Sequence, residues 1–158
     1  MTPPSVAINA TLGSVTFEPG PLWKLLLSAG AAFLPGEAAL AATSLEKDDA
    51  HTLVAGFAAE ALLKALLAFG GIREPELKKL GHNLETMWST CASKGLLRSS
   101  GVPAWVVAVN VFHNNPFFIR YKTGGGLYSL PHKTEVHVGL LELQSEITGC
   151  IGASSSAA

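Results

Sequence analysis

Glu60 and Lys64 are the only charged residues between Leu53 and Phe69. On a helix their spacing of four puts both side chains on one face, with the acid N-terminal to the base, the favourable orientation for an ion pair. Two charges on so apolar a helix have two explanations. Either they are its solvent stripe, since charged side chains stay wet, or they stand at the mouth of a polar cleft and meet a phosphate or a partner's charge. His82 lies between Gly81 and Asn83. If Asn83 caps a helix, the imidazole stands beside the open amide donors of that helix start, where an anion can bind. A histidine so placed can equally tie the helix start to a neighbouring loop.

The densest polar and aromatic cluster is His113-Asn114-Asn115-Pro116-Phe117-Phe118-Ile119-Arg120-Tyr121-Lys122. Arg120 offers a planar fork for carboxylate or phosphate, Lys122 a point charge and Tyr121 a ring for stacking. Such a group suits RNA or a nucleotide, and it suits equally a structural pairing of Arg120 with Glu60 or with the C-terminal helix. Other constellations are weaker. His132 and His137 are five apart, on different helix faces, so the two-histidine zinc pattern is not met. Cys91 and Cys150 have no Cys or His at zinc spacing, Gly124-Gly125-Gly126 lacks the Lys-Ser/Thr of a phosphate loop, and no serine sits in a nucleophile elbow. No metal, cofactor or nucleophile is expected.

The elements that position these residues read as helices. Residues 1–20 alternate weakly, which predicts a short hairpin or ordered arm before Glu18-Pro19-Gly20-Pro21. Leu22, Leu25, Leu26 and Ala29 share a helical face that Phe33 extends, until Pro35-Gly36 interrupts it; an Ala-rich helix then follows from Glu37 to about Lys47. The strongest segment runs from Asp49 to Phe69, opened by Asp48-Asp49 at its positive dipole end and closed by Gly70-Gly71. Being apolar on nearly all sides, it is a central helix or an interface helix. A helical block from Pro75 breaks at Gly81-His82. Asn83 starts another, reaching Gly95, with Leu84, Met87, Trp88 and Cys91 on one face. A helix after Pro103 carries Trp105, Val106, Val109 and Phe112 to about Asn114-Asn115-Pro116, although its valines make a buried strand the competing assignment. After an irregular connection from Arg120 to Lys133, the last helix spans Thr134 to Cys150 with Val138, Leu141 and Ile147 inward. The fold class is all-α: an up-and-down bundle of about five helices in residues 21–151, with an irregular or β-like N-terminal arm (1–20) and a disordered tail (152–158).

Composition bounds the function. The chain has 158 residues, 48% of them apolar and only 15% charged, which is enough to build one core. A net charge of −1 argues against a broad basic nucleic-acid binder. No basic-then-apolar leader is visible, the apolar run Leu25 to Gly36 is too short to cross a bilayer, and Ser99 to Ile119 is interrupted by Pro103, Asn110, His113 and Pro116. A soluble, cytoplasmic protein without membrane contact is expected. The apolar surface of residues 53–69 predicts a homodimer.

Three segments together, Phe57-Ala58-Ala59-Glu60-Ala61-Leu62-Leu63-Lys64-Ala65-Leu66-Leu67, then Leu80-Gly81-His82-Asn83-Leu84, then Ile119-Arg120-Tyr121, resemble the HEPN superfamily, the higher-eukaryote and prokaryote nucleotide-binding domains, over about residues 50–150. The resemblance implies an all-α bundle, often a homodimer, in bacterial defence, toxin–antitoxin or RNA-processing settings. Many such proteins are metal-independent ribonucleases with an Arg-x4-6-His motif. Here the histidines that follow Arg73, Arg98 and Arg120 are His82, His113 and His132, all beyond that spacing. The resemblance therefore implies a divergent, non-catalytic domain that binds a nucleotide, RNA or a protein partner through Glu60, Lys64, His82, Asn83, Arg120 and Tyr121. Two alternatives stand beside it. One is a ribonuclease in which His82 is the acid/base and Arg120 stabilises the developing charge; the other is a structural dimer or adaptor without a ligand.

Overall fold

Asp48 and the Gly70-Gly71 pair delimit the helix around which the others pack. The Asp48 carboxylate accepts from the amides of Ala50 (2.7 Å) and His51 (3.2 Å), and the chain leaves the helix through Gly71 at φ 90°, a left-handed conformation that suits glycine. The computed structural model describes residues 20–44, 48–99, 101–114 and 129–155, and the backbone of a two-residue antiparallel pair, β1 (Asn9–Ala10) against β2 (Gly13–Ser14). The remaining regular structure among these residues is six helices, an all-α bundle: α1 (Leu22–Ala41), α2 (Asp49–Phe69), α3 (Glu74–Lys79), α4 (Leu84–Ser93), α5 (Ala104–His113) and α6 (Lys133–Ser155).

No residue of α2 from His51 to Phe69 is exposed. Ala55, Ala58, Ala59, Leu62, Leu63, Leu66 and Leu67 are all fully buried, and α1, α4, α5 and α6 surround them. Its apolar circumference is thus largely used inside one chain, so α2 is the central helix. Among the described residues, the large apolar side chains that stay exposed lie elsewhere, at Leu25 and Phe33 of α1, Val107 and Val111 of α5, and Val138 and Leu141 of α6.

α1 departs from the expected pair of helices, because Pro35 lies inside one continuous helix. An internal proline forfeits an amide bond and crowds the preceding turn at about 3 kcal/mol. The helix persists because Leu34 and Glu37, on either side of the proline, are both buried against the bundle. The inward face is also different from the expected one: Leu26, Gly30, Leu34 and Glu37 turn inward, whereas Leu25, Ala29 and Phe33 turn out. Gly30 decides this, since a Cβ there would sit 2.8 Å from Leu62 Cγ. Only the glycine face lets α1 lie close along α2. Joined across Pro35, α1 is longer than the short apolar run expected, and by length and composition both α1 and α2 are able to cross a membrane. More than half of the α2 window is buried in the bundle, against 17% of the α1 window.

The later helices follow their punctuation. Pro75 sits in the first turn of α3, Asn83 Oδ1 caps α4 by accepting from the Thr86 amide (3.0 Å), and α5 follows Pro103. Leu84, Met87, Trp88 and Cys91 are the buried face of α4. Val106, Val109 and Phe112 are buried at helical spacing, so the valine-rich segment is helix rather than strand. In α6 the inward stripe is Val136, Leu140, Leu143, Ile147 and Ile151. Val138 and Leu141, expected inward, are about half exposed on the neighbouring stripe. α6 continues to Ser155, beyond the expected end at Cys150 and into the expected tail.

Candidate functional site

Gly56, Glu60 and Lys64 follow one another at intervals of four along α2 and so share a face. Glu60 is the hub. Lys64 Nζ donates to Glu60 Oε1 at 2.6 Å and to the Gly81 carbonyl at 2.9 Å, which ties the turn before α4 to α2. His82 Nδ1 lies 2.8 Å, and His113 Nε2 2.6 Å, from Glu60 Oε2. The side chains of Glu60 and Lys64 are only 13% and 16% exposed, so the pair is not a solvent stripe. His113 is buried while His82 is 51% exposed, which opens the cluster to water on one side.

Packing fixes the buried imidazole. The His113 ring stands edge-on to Phe57 at 5.3 Å and to His82 at 5.6 Å. Beneath it is Gly56, where a Cβ would sit 2.4 Å from His113 Nδ1. A glycine costs about 1 kcal/mol in a helix interior; here it makes room for the ring. Burial alone would raise the Glu60 pKa, but hydrogen bonds from His113, Lys64 and His82 and the Lys64 charge outweigh it and hold the carboxyl at about 2. Glu60 is therefore a carboxylate that can only accept, and His82 Nδ1 and His113 Nε2 both carry the protons they donate to it. The geometry brings one ligand-capable atom each from Glu60, His82 and His113 within 4.8 Å of one another.

The anion site expected at the start of α4 is not available as drawn from the sequence. The Leu84 amide donates to Asn110 Oδ1 (2.8 Å) and the Thr86 amide to Asn83 Oδ1, while Glu85 occupies the first turn and accepts from Asn110 Nδ2 (2.7 Å). Two of the free donors are thus taken and a carboxylate stands among them. Asn83 acts as a helix cap. Of the expected site residues, Glu60, Lys64 and His82 meet; Arg120 and Tyr121 lie outside the described residues. His113, read from sequence only as part of a polar stretch, completes the cluster. A shallow surface depression of about 390 Å³, lined by Glu85, Thr86, Ser89, Thr90 and Ser93, runs along α4 and includes no member of it.

A second cluster of the same residue types joins α1, α2 and α6. Glu37 of α1, fully buried, has Oε1 2.7 Å from His51 Nε2 of α2 and Oε2 2.7 Å from His137 Nδ1 of α6. Burial would raise its pKa, but the hydrogen bonds and charges of His51 and His137 hold it below the usual carboxylate range. At the C-terminal end of α1, Lys133 Nζ of α6 donates to the Leu40 carbonyl (2.9 Å) and the Thr43 carbonyl (3.1 Å) and closes the helix end. Cys91, by contrast, is a buried thiol pushed up to about 12 by burial and carries no nucleophile. No family model, curated protein or solved structure matches the chain.

Proposed function

We propose that this chain is a divergent, non-catalytic HEPN-like domain that binds a nucleotide or an RNA segment at the Glu60, Lys64, His82 and His113 cluster. The observation that carries the proposal is the convergence of side chains 22 and 53 residues away from Glu60 onto its carboxylate, beside a half-exposed imidazole. Polar groups this far from one another in sequence are costly to gather and bury. The cluster also joins two of the three segments on which the HEPN resemblance rests. In this proposal His82 meets the phosphate at the open side, Lys64 keeps the site near neutral despite Glu60, and Arg120 and Tyr121 supply the planar fork and the stacking ring. The wider setting proposed is a cytoplasmic one, in bacterial defence or toxin–antitoxin function. A homodimer is part of the proposal, and Val107 and Val111 of α5 are an exposed apolar face that it could bury.

Fluorescence anisotropy with a labelled single-stranded oligoribonucleotide and a labelled nucleotide tests this. His82→Ala and Arg120→Ala should each weaken binding about tenfold or more, the loss of one charge-assisted hydrogen bond. Wild-type protein that binds neither probe, or variants that bind as well as wild type, would remove the proposal.

One feature favours the ribonuclease alternative as the second choice. His82 has Nδ1 bonded to a carboxylate, the arrangement that orients a general acid/base. Cleavage of RNA in the presence of a chelator, abolished by His82→Ala in a folded protein, would select it; intact RNA after incubation with wild type leaves binding alone.

A further inference from the structure

We infer that Glu60 Oε2, His82 Nδ1 and His113 Nε2 form a three-ligand site for a first-row divalent cation of the zinc class, with a further coordination position facing water on the His82 side. The inference rests on convergence and ligand chemistry, and it does not depend on nucleic-acid binding.

The two imidazoles point at the same oxygen, 2.8 and 2.6 Å away, and the three atoms lie within 4.8 Å of one another. Bonds of about 2.0–2.1 Å to a tetrahedral zinc ion separate ligand atoms by roughly 3.3 Å. To admit an ion where two N–H hydrogens now lie, the two nitrogen–oxygen distances must lengthen by about 0.5 to 0.7 Å, and the two ring nitrogens, within 4.8 Å of each other, must settle at that same separation. On metal binding the His82 proton moves to Nε2, and the His113 proton moves to Nδ1, the ring edge over Gly56.

Ligand type selects the ion. Two imidazoles and one carboxylate suit zinc, cobalt, nickel or copper, whereas magnesium and calcium favour oxygen shells. Three protein ligands and an open position are the pattern of a reactive rather than a purely structural zinc site. Lys64 has two opposing effects. By holding Oε1 it leaves Glu60 to bind through Oε2 alone, while its ammonium repels a dication and weakens the site. The Glu37 cluster lacks the convergence, because its two histidines take opposite oxygens of the carboxylate.

Full-length protein stripped of metal would be titrated with Co2+, followed by visible absorption, and with Zn2+ by calorimetry. One equivalent of Co2+ should bind with ligand-field bands that Zn2+ abolishes. His82→Ala alters a half-exposed side chain and should leave the helical circular dichroism intact while weakening both ions about tenfold or more. His132→Ala, outside the cluster, should change nothing. In nitrogen-15 spectra of the imidazoles, Zn2+ should shift the His82 proton from Nδ1 to Nε2. Failure of both ions to bind up to roughly 0.1 mM, a free energy too small for a built site, would overturn the inference. So would one-to-one binding that His82→Ala leaves unchanged.

Discussion

Glu37 and Glu60 each hold two histidines, yet the two clusters are wired differently. Glu37 gives one oxygen to each imidazole and so acts as a strut joining α1, α2 and α6; it and His51 are fully buried. Glu60 gives Oε1 to Lys64 and shares Oε2 between both imidazoles, one of them half exposed. The first arrangement spends every carboxylate bond on holding helices together. The second gathers polar atoms around a point that water can reach. Residue type alone does not separate a clamp from a site; the separation comes from which oxygen each imidazole takes and whether the group meets solvent.

The largest effect that breaks this contrast is at the clamp. Glu37→Ala leaves His51 and His137 without their acceptor in or near the core and should destabilise the fold by roughly 3 to 5 kcal/mol, measured by urea unfolding. The His51 Nδ1 atom is already buried without a partner among the described residues, so this region has no spare hydrogen bonds to fall back on. A loss below about 1 kcal/mol, the scale of a surface pair, would show that Glu37 is not a strut.

Acid comes next. Glu60 ordinarily titrates near 4.5 and is held at about 2 in the fold, so its charge contributes stability that is complete above pH 4.5 and is lost as pH falls towards 2. Glu37 is lowered as well, and its contribution has the same sign. Unfolding free energy should fall by on the order of a few kcal/mol over that interval, and Glu60→Gln should flatten the slope. A slope unchanged in Glu60→Gln would mean that the carboxylate is not held by its three donors.

A smaller loss should follow Gly56→Ala, whose Cβ would meet the His113 ring at 2.4 Å. Displacing the ring should cost about 1 to 3 kcal/mol, as overpacking does, and should remove His113 from the Glu60 oxygen, which imidazole NMR would detect. The reverse outcome, a gain in stability from the better helix former, would show that the ring has room to move.

Much of the frame was legible because local chemistry writes it. Asp48 and Gly70 mark the ends of α2, Asn83 the start of α4 and Pro103 the start of α5, each through a bond or dihedral set within a few residues. Glu60 and Lys64 were legible through their spacing, and His82 through its place beside a cap. The clamp was not legible. Glu37 and His137 are a hundred residues apart, and nothing in an Ala-rich stretch broken by Pro35 marks Glu37 as buried. Nor did α1 and α6 declare which of two adjacent apolar stripes turns inward, since both carry leucine, valine or phenylalanine at helical spacing. The usable signals were glycines. Gly30 and Gly56 lie inside otherwise strong helices, and each marks a close approach, one by Leu62 and one by His113.

The smallest effect on stability is the most informative one. His82→Ala removes a half-exposed side chain at the rim of the Glu60 cluster, so its unfolding free energy should stay within about 1 kcal/mol of wild type. The decisive measurement is the affinity of that variant for a labelled single-stranded oligoribonucleotide, taken beside its stability. A working site at Glu60 predicts binding about tenfold weaker at nearly unchanged stability. Unchanged binding with a large loss of stability would make the Glu60 cluster a second clamp.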